Sequence, residues 1–152
     1  MNIEKYKNLE KILKKYPDIL TEMDIVKIDK QILEAYTYDK PLTCIEVENG
    51  EYERVLQLIA KLKDYFYVIH ASYELEPEIR GFEGEIFITR FKNVYDVVKL
   101  LVEKDLKDNN GMLSKGFIDK YADLFGVLFG YPPKDVARHC IEKAPKIYHL
   151  IK

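Results

Sequence analysis

Tryptophan is absent from this chain of 152 residues, which has only two cysteines, three histidines and seven glycines. Each scarcity closes something off. Two cysteines cannot build the disulfide framework of a small secreted domain, so both are expected as free thiols and the protein is expected to be cytoplasmic. The few glycines form no phosphate-cradling G-x-x-x-x-G-K-[ST], no dinucleotide-binding G-x-G-x-x-G and no G-x-S-x-G turn around a nucleophilic serine. No Gly/Ser tract divides the chain and no internal repeat is visible. The longest uncharged run, Leu124 to Pro133, spans ten residues, against the roughly 20 that cross a bilayer. The opening MNIEKYKNLEKILKKYP is charged and amphipathic, without the apolar centre of a signal sequence. No partnership with a membrane is expected.

Charge excess of either sign is lacking too. Twenty-four basic residues face 26 acidic ones, a net charge of -2, so no global field draws the protein onto nucleic acid. The distribution is uneven: residues 1–40 balance, residues 41–111 hold nine basic against fourteen acidic, and residues 112–152 hold seven against four. The C-terminal end is therefore where an anionic partner would bind.

What is present is the composition of a folded domain: 47% hydrophobic and 33% charged residues in a chain long enough to bury a core. One domain is expected over 1–152. Lysine and glutamate abound while glutamine is confined to Gln31 and Gln57, a thermophile-like bias that an AT-rich genome also produces.

Periodicity divides the chain into three parts. In residues 1–40, Ile3, Tyr6, Leu9, Leu13 and Tyr16 share one stripe of a helix stopped by Pro17, and Ile25, Ile28, Ile32, Leu33 and Tyr36 share one stripe of a second helix opening near Thr21. Residues 43–107 read β-α-β-β-α. The strands are Thr43–Val47, Tyr65–Leu75 and Glu85–Phe91, and the helices run from about Glu51 to Lys63 and from an Asn93 cap to Asn109-Asn110-Gly111. The crossover makes the first two strands parallel, and the third is expected between them. The predicted fold is α+β: a three-stranded mixed sheet, half of a ferredoxin-like unit, with two helices on one face and helices at both termini. Residues 112–152 return to helical spacing, with Ser114 as a cap, an apolar stripe from Phe117 to Leu128, and a shorter helix after Pro132 and Pro133.

The strand Tyr65–Leu75 begins apolar on both alternating sets, so the sheet needs cover on both faces, from the terminal helices or from another subunit. Together with a missing fourth strand, this points to self-association, as a homo-oligomer.

Candidate chemistry is thin. His139 and Cys140 are adjacent, about 100° apart on a helix, and cannot converge on one ion. Cys44 and His70 supply no C-x-x-C or H-x-x-x-H spacing, so no metal site and no cofactor is expected. Glu74, Glu76, Glu78, Glu83 and Glu85 lack the alternating Asp/Asn–Gly pattern of a calcium loop and read as a solvated acidic loop. No catalytic residue is assigned. Tyr67, His70, Arg138 and His139 remain as polar groups that could bind a ligand in a pocket between sheet and C-terminal helices.

Leu124 to Cys140, LFGVLFGYPPKDVARHC, has the outline of a helix-turn-helix within residues 114–144. Its basic residues, Lys134, Arg138 and Lys143, are fewer than phosphate contacts ordinarily require, and Pro132-Pro133 removes two N–H donors. Gly130 is expected instead as a left-handed residue closing a helix. The segment Leu128–Val136 resembles a feature of small uncharacterised archaeal proteins, in which a helix ends in Gly-Tyr-Pro and a short helix follows. Some of those carry two cysteines where this chain has Lys134-Asp135. The resemblance covers about 20 residues and implies archaeal origin without an assigned activity. The sequence thus favours a non-enzymatic binding or assembly module. DNA binding through 114–144, or a small-ligand binder or enzyme using the sheet–helix pocket, are the alternatives.

Overall fold

The computed structural model describes residues 2–16, 20–21, 26–37, 40–48, 51–73, 82–114 and 116–130. Asn2 opens the first helix, α1 (Ile3–Leu13), its side-chain oxygen accepting the Lys5 N–H at 3.0 Å as an N-cap. Two short strands follow, β1 (Leu20–Thr21) and β2 (Val26–Lys27), and then helix α2 (Ile28–Thr37). The central elements are β3 (Thr43–Glu48), α3 (Tyr52–Ala60), β4 (Tyr67–Ser72), β5 (Phe82–Thr89) and α4 (Lys92–Asp108). The described chain ends in α5 (Phe117–Lys120) and α6 (Ala122–Leu128). The class is α+β.

Strands run in the order β2-β1-β3-β5-β4. The third core strand inserts between the first two, and β3 and β4 point the same way. They never touch, because β5 separates them, so every neighbouring pair is antiparallel and the sheet is not mixed. The second helix begins at Ile28 and not near Thr21. The Thr21 backbone is taken into the sheet opposite Val47, on the flank of β3 where a closing fourth strand would lie. Ile28, Ile32 and Tyr36 keep their helical spacing and are buried; Ile25 lies outside the described residues.

The two crossover helices lie on opposite faces, where one shared face was expected. Sequence alternation explains why. Ile45 and Val47 of β3 and Ile86 and Ile88 of β5 face one side, where α1, α2 and α3 supply Leu9, Leu13, Ile32, Val55 and Leu58, with Leu62 just beyond α3. Ile69 and Ala71 of β4 and Phe87 of β5 face the other, against Val98 and Val102 of α4 and Phe117 and Phe125 of α5 and α6. Two apolar faces of about equal demand draw one helix each, and the terminal segments complete both layers. Arg90 ties the first layer to the sheet, donating to the Tyr36 carbonyl at 2.8 Å with its guanidinium 4.9 Å from the centre of the Tyr36 ring.

Two caps differ from expectation. Asn93 lies inside α4, whose N-cap is Phe91 in extended backbone. Ser114 caps no helix: its N–H and its hydroxyl each donate to Asp105 at 2.8 Å, and the short helix starts after Gly116. Asp105 on α4 accepts both bonds, which accounts for a carboxylate only 4% exposed. The strand expected from Glu85 begins at Phe82, so part of the supposed acidic loop is sheet.

At the end of α6 the chain turns as the sequence suggests. Gly130 has φ +82°, and its N–H donates to the Val127 carbonyl at 3.0 Å. The Tyr131-Pro132-Pro133 continuation and the second helix of the helix-turn-helix outline lie outside the described residues. A Cβ at Gly130 would meet nothing within 4 Å, so the demand for glycine there is conformational. Gly130→Val is expected to lower the unfolding free energy by roughly 1 kcal/mol or more, and Gly130→Asn by less, because asparagine tolerates the left-handed region better. Urea denaturation of the two variants checks this, and equal losses would contradict it.

Candidate functional site

Glu85 is the most unusual residue of the sheet. It stands on β5, the middle of the three longer strands, opposite Glu46 of β3 on one side and Ala71 of β4 on the other. All of Gly84 to Thr89 is buried, and Glu85 itself is 2% exposed. Alternation puts Glu85 on the side of Phe87, and Cys44 and Glu46 beside it on β3. The Cys44 thiol donates to Oε2 of Glu85.

Burial makes the charged carboxylate costly and is the largest cause of a pKa pushed up to about 8; the bond from Cys44 works against it, and the nearby Glu46 charge adds to it. At neutral pH the group is therefore mostly a neutral acid. It can donate a hydrogen bond, or release its proton when a cation approaches.

A cleft of about 220 Å³ opens over this acid. Its sheet side is Glu46, Tyr73 and Glu85, and its other wall is Leu113, Gly116, Phe117, Ile118 and Asp119. The wall is held in place by the Leu113 N–H, which donates to the Ser72 carbonyl at 2.7 Å and extends the end of β4. Behind it, Phe117 and Phe125 pack on Phe87 with ring centres 6.3 and 5.8 Å away. The lining thus holds three carboxyl groups and, among the described residues, no basic one. No group of three or more His, Cys, Asp or Glu among the described residues is arranged to hold a metal ion.

Tyr67 and His70, singled out from the sequence, lie on β4 three positions apart and so project to opposite faces. Tyr67 stacks against Tyr95 of α4 at 5.2 Å; His70 is exposed opposite Ile86. Neither is among the residues lining the cleft. Arg138, His139 and Cys140 lie outside the described residues. The residue that sequence reading misplaced is Glu85, grouped there with the solvated acids. Its signal lay in Ile86, Phe87 and Ile88: a strand apolar on both sides leaves no exposed face for a glutamate in register with them.

The pH dependence of stability follows from the direction of the Glu85 shift. A carboxyl with a raised pKa holds its proton more tightly folded than unfolded. Its stabilising effect is complete below the ordinary value of 4.5 and is lost as pH rises towards about 8. Thermal denaturation across that interval is expected to show falling stability for the native chain and a flatter profile for Glu85→Gln. Parallel profiles would contradict a protonated Glu85.

Among known proteins, no family model, curated sequence or solved structure matches the chain, so the likeness of its Gly-Tyr-Pro segment to small archaeal proteins rests on those residues alone.

Proposed function

We propose that the protein is a non-enzymatic binding module whose cleft takes a small molecule bearing an amine or guanidinium group. The observation that carries this reading is a carboxyl group 2% exposed at the floor of an acid-lined cleft. A buried carboxyl bonded to a thiol keeps its proton, and a cation entering the cleft would pair with the carboxylate left when that proton is released. Phe117, Ile118 and Leu113 supply the apolar wall for the carbon skeleton of such a ligand, and Tyr73 a polar tip. Cys44 is not among the residues lining the cleft, which favours binding over thiol chemistry.

Self-association is the second part of the reading, favoured by β4, which ends the sheet among the described residues without a charged residue or a proline. Tyr67 and His70 belong to that edge and would be interface groups. A chain with only two cysteines supports a cytoplasmic setting. The Lys/Glu-rich composition and the Gly-Tyr-Pro segment support an archaeal, thermophilic source.

Binding of a cation by Glu85 requires the carboxylate, so at neutral pH it should release a proton. Calorimetric titration with a linear diamine and with guanidinium is expected to give an enthalpy that changes with buffer ionisation heat, and the diamine should raise Tm by mass action. Glu85→Gln should abolish both effects. Stabilisation by acetate or phosphate in place of the amines would overturn the ligand class.

A further inference from the structure

We propose that the outward face of α1, together with the end of α3, is a basic surface that docks on the phosphate backbone of a nucleic-acid duplex. Both helices cover the face of the sheet opposite the acid-lined cleft, so this surface is independent of the ligand proposed for that cleft.

Residues 1–40 are neutral as a whole, but the fold separates their charges. Five of their eight basic residues lie between Lys5 and Lys15, with only Glu4 and Glu10 of their eight acids on the same helix. Lys7, Lys11 and Lys14 recur at offsets of four and seven, so they form one stripe on the side of α1 opposite the buried Leu9 and Leu13. Lys15 stands beside that stripe, and all four are exposed. The end of α3 is brought alongside: Lys61 lies 5.4 Å from the Tyr16 ring centre, and Lys5 of α1 lies 5.4 Å from that of Tyr65. Lys63 follows in the same turn and is exposed, next to the one acid there, Asp64.

A comparison with α4 shows what is unusual. There the four-residue spacing joins opposite signs, Lys92 to Asp96 at 2.9 Å and Lys99 to Glu103 at 3.9 Å. On α1 the same spacing joins Lys7 to Lys11 and Lys11 to Lys15, like charges whose repulsion weakens the helix. A polyanion laid along the stripe removes that repulsion. From Lys7 to Lys14 the helix rises about 10 Å, a length over which one strand of a duplex presents about three phosphates. The surroundings select this partner among polyanions. Tyr16 and Phe66 are buried and Tyr6 and Tyr65 half-buried, so no aromatic face stands ready for the unstacked bases of a single strand. Ile3 is the one large apolar side chain exposed on α1, too little to enter a lipid surface.

Fluorescence anisotropy with a labelled DNA duplex of random sequence tests the proposal. The native chain should bind at low salt, with log affinity falling against log salt at a slope of about −3 to −5. Lys7→Gln/Lys11→Gln/Lys14→Gln should weaken binding at least about tenfold and make the slope shallower by about 3. That variant removes like-charged neighbours, so its Tm should match or exceed the native value, which separates lost binding from lost folding. Lys92→Gln/Lys99→Gln on α4 should bind as the native chain does, and so should Glu85→Gln, whose cleft is a separate site. No binding at low salt overturns the proposal, as does a triple variant that binds like the native chain. Tighter binding to a single strand of the same sequence, or binding to phosphatidylserine vesicles in place of the duplex, overturns the choice of partner.

Discussion

The structure depends on one constraint: β5 is buried on both of its faces. From Gly84 to Thr89 nothing is exposed, and the strand is hydrogen-bonded on both edges, to β3 and to β4. A strand enclosed on four sides dictates what surrounds it. Ile86 and Ile88 require the layer of α1, α2 and α3; Phe87 requires α4 and the aromatic group of Phe117 and Phe125. The terminal segments are as necessary to the fold as the β-α-β-β-α centre.

The same constraint explains why each polar residue in that strand matters. Thr89 meets it by donating its hydroxyl to the Pro41 carbonyl at 2.6 Å. Glu85 has only the Cys44 thiol as a described donor, a weak one, and answers by keeping its proton. Natural sheets place valine or isoleucine at such a position at no comparable cost. The acid lines the cleft between the sheet and residues 113–119. The wall of that cleft is held by the Leu113–Ser72 bond, which also extends the end of β4.

Much of this was legible in the sequence. The class, the three core strands and the insertion of the third between the first two follow from alternation and from the rule for crossover connections. The left-handed Gly130 follows from the apolar run ahead of it. Other features depended on partners distant in sequence. Thr21 reads as a helix cap until Val47 offers it a strand, and Ser114 reads the same way until Asp105 offers two acceptors. Local propensity cannot weigh such competitors, because they are 26 and nine residues away along the chain. Glu85 was legible and misread, since charge was given more weight than the strand it sits in.

Chain order gives the sheet a temporal character. β5 comes after both of its neighbours in the chain, so β3 and β4 take places that leave a gap one strand wide for a later segment to fill. In the finished sheet the two share no ladder, and each pairs with β5 instead. Only when residues 82–89 emerge does the gap fill, and β3 and β4 are zipped in one step. The sheet thus cannot reach its native order until residues 82–89, more than half-way along the chain, have been synthesised.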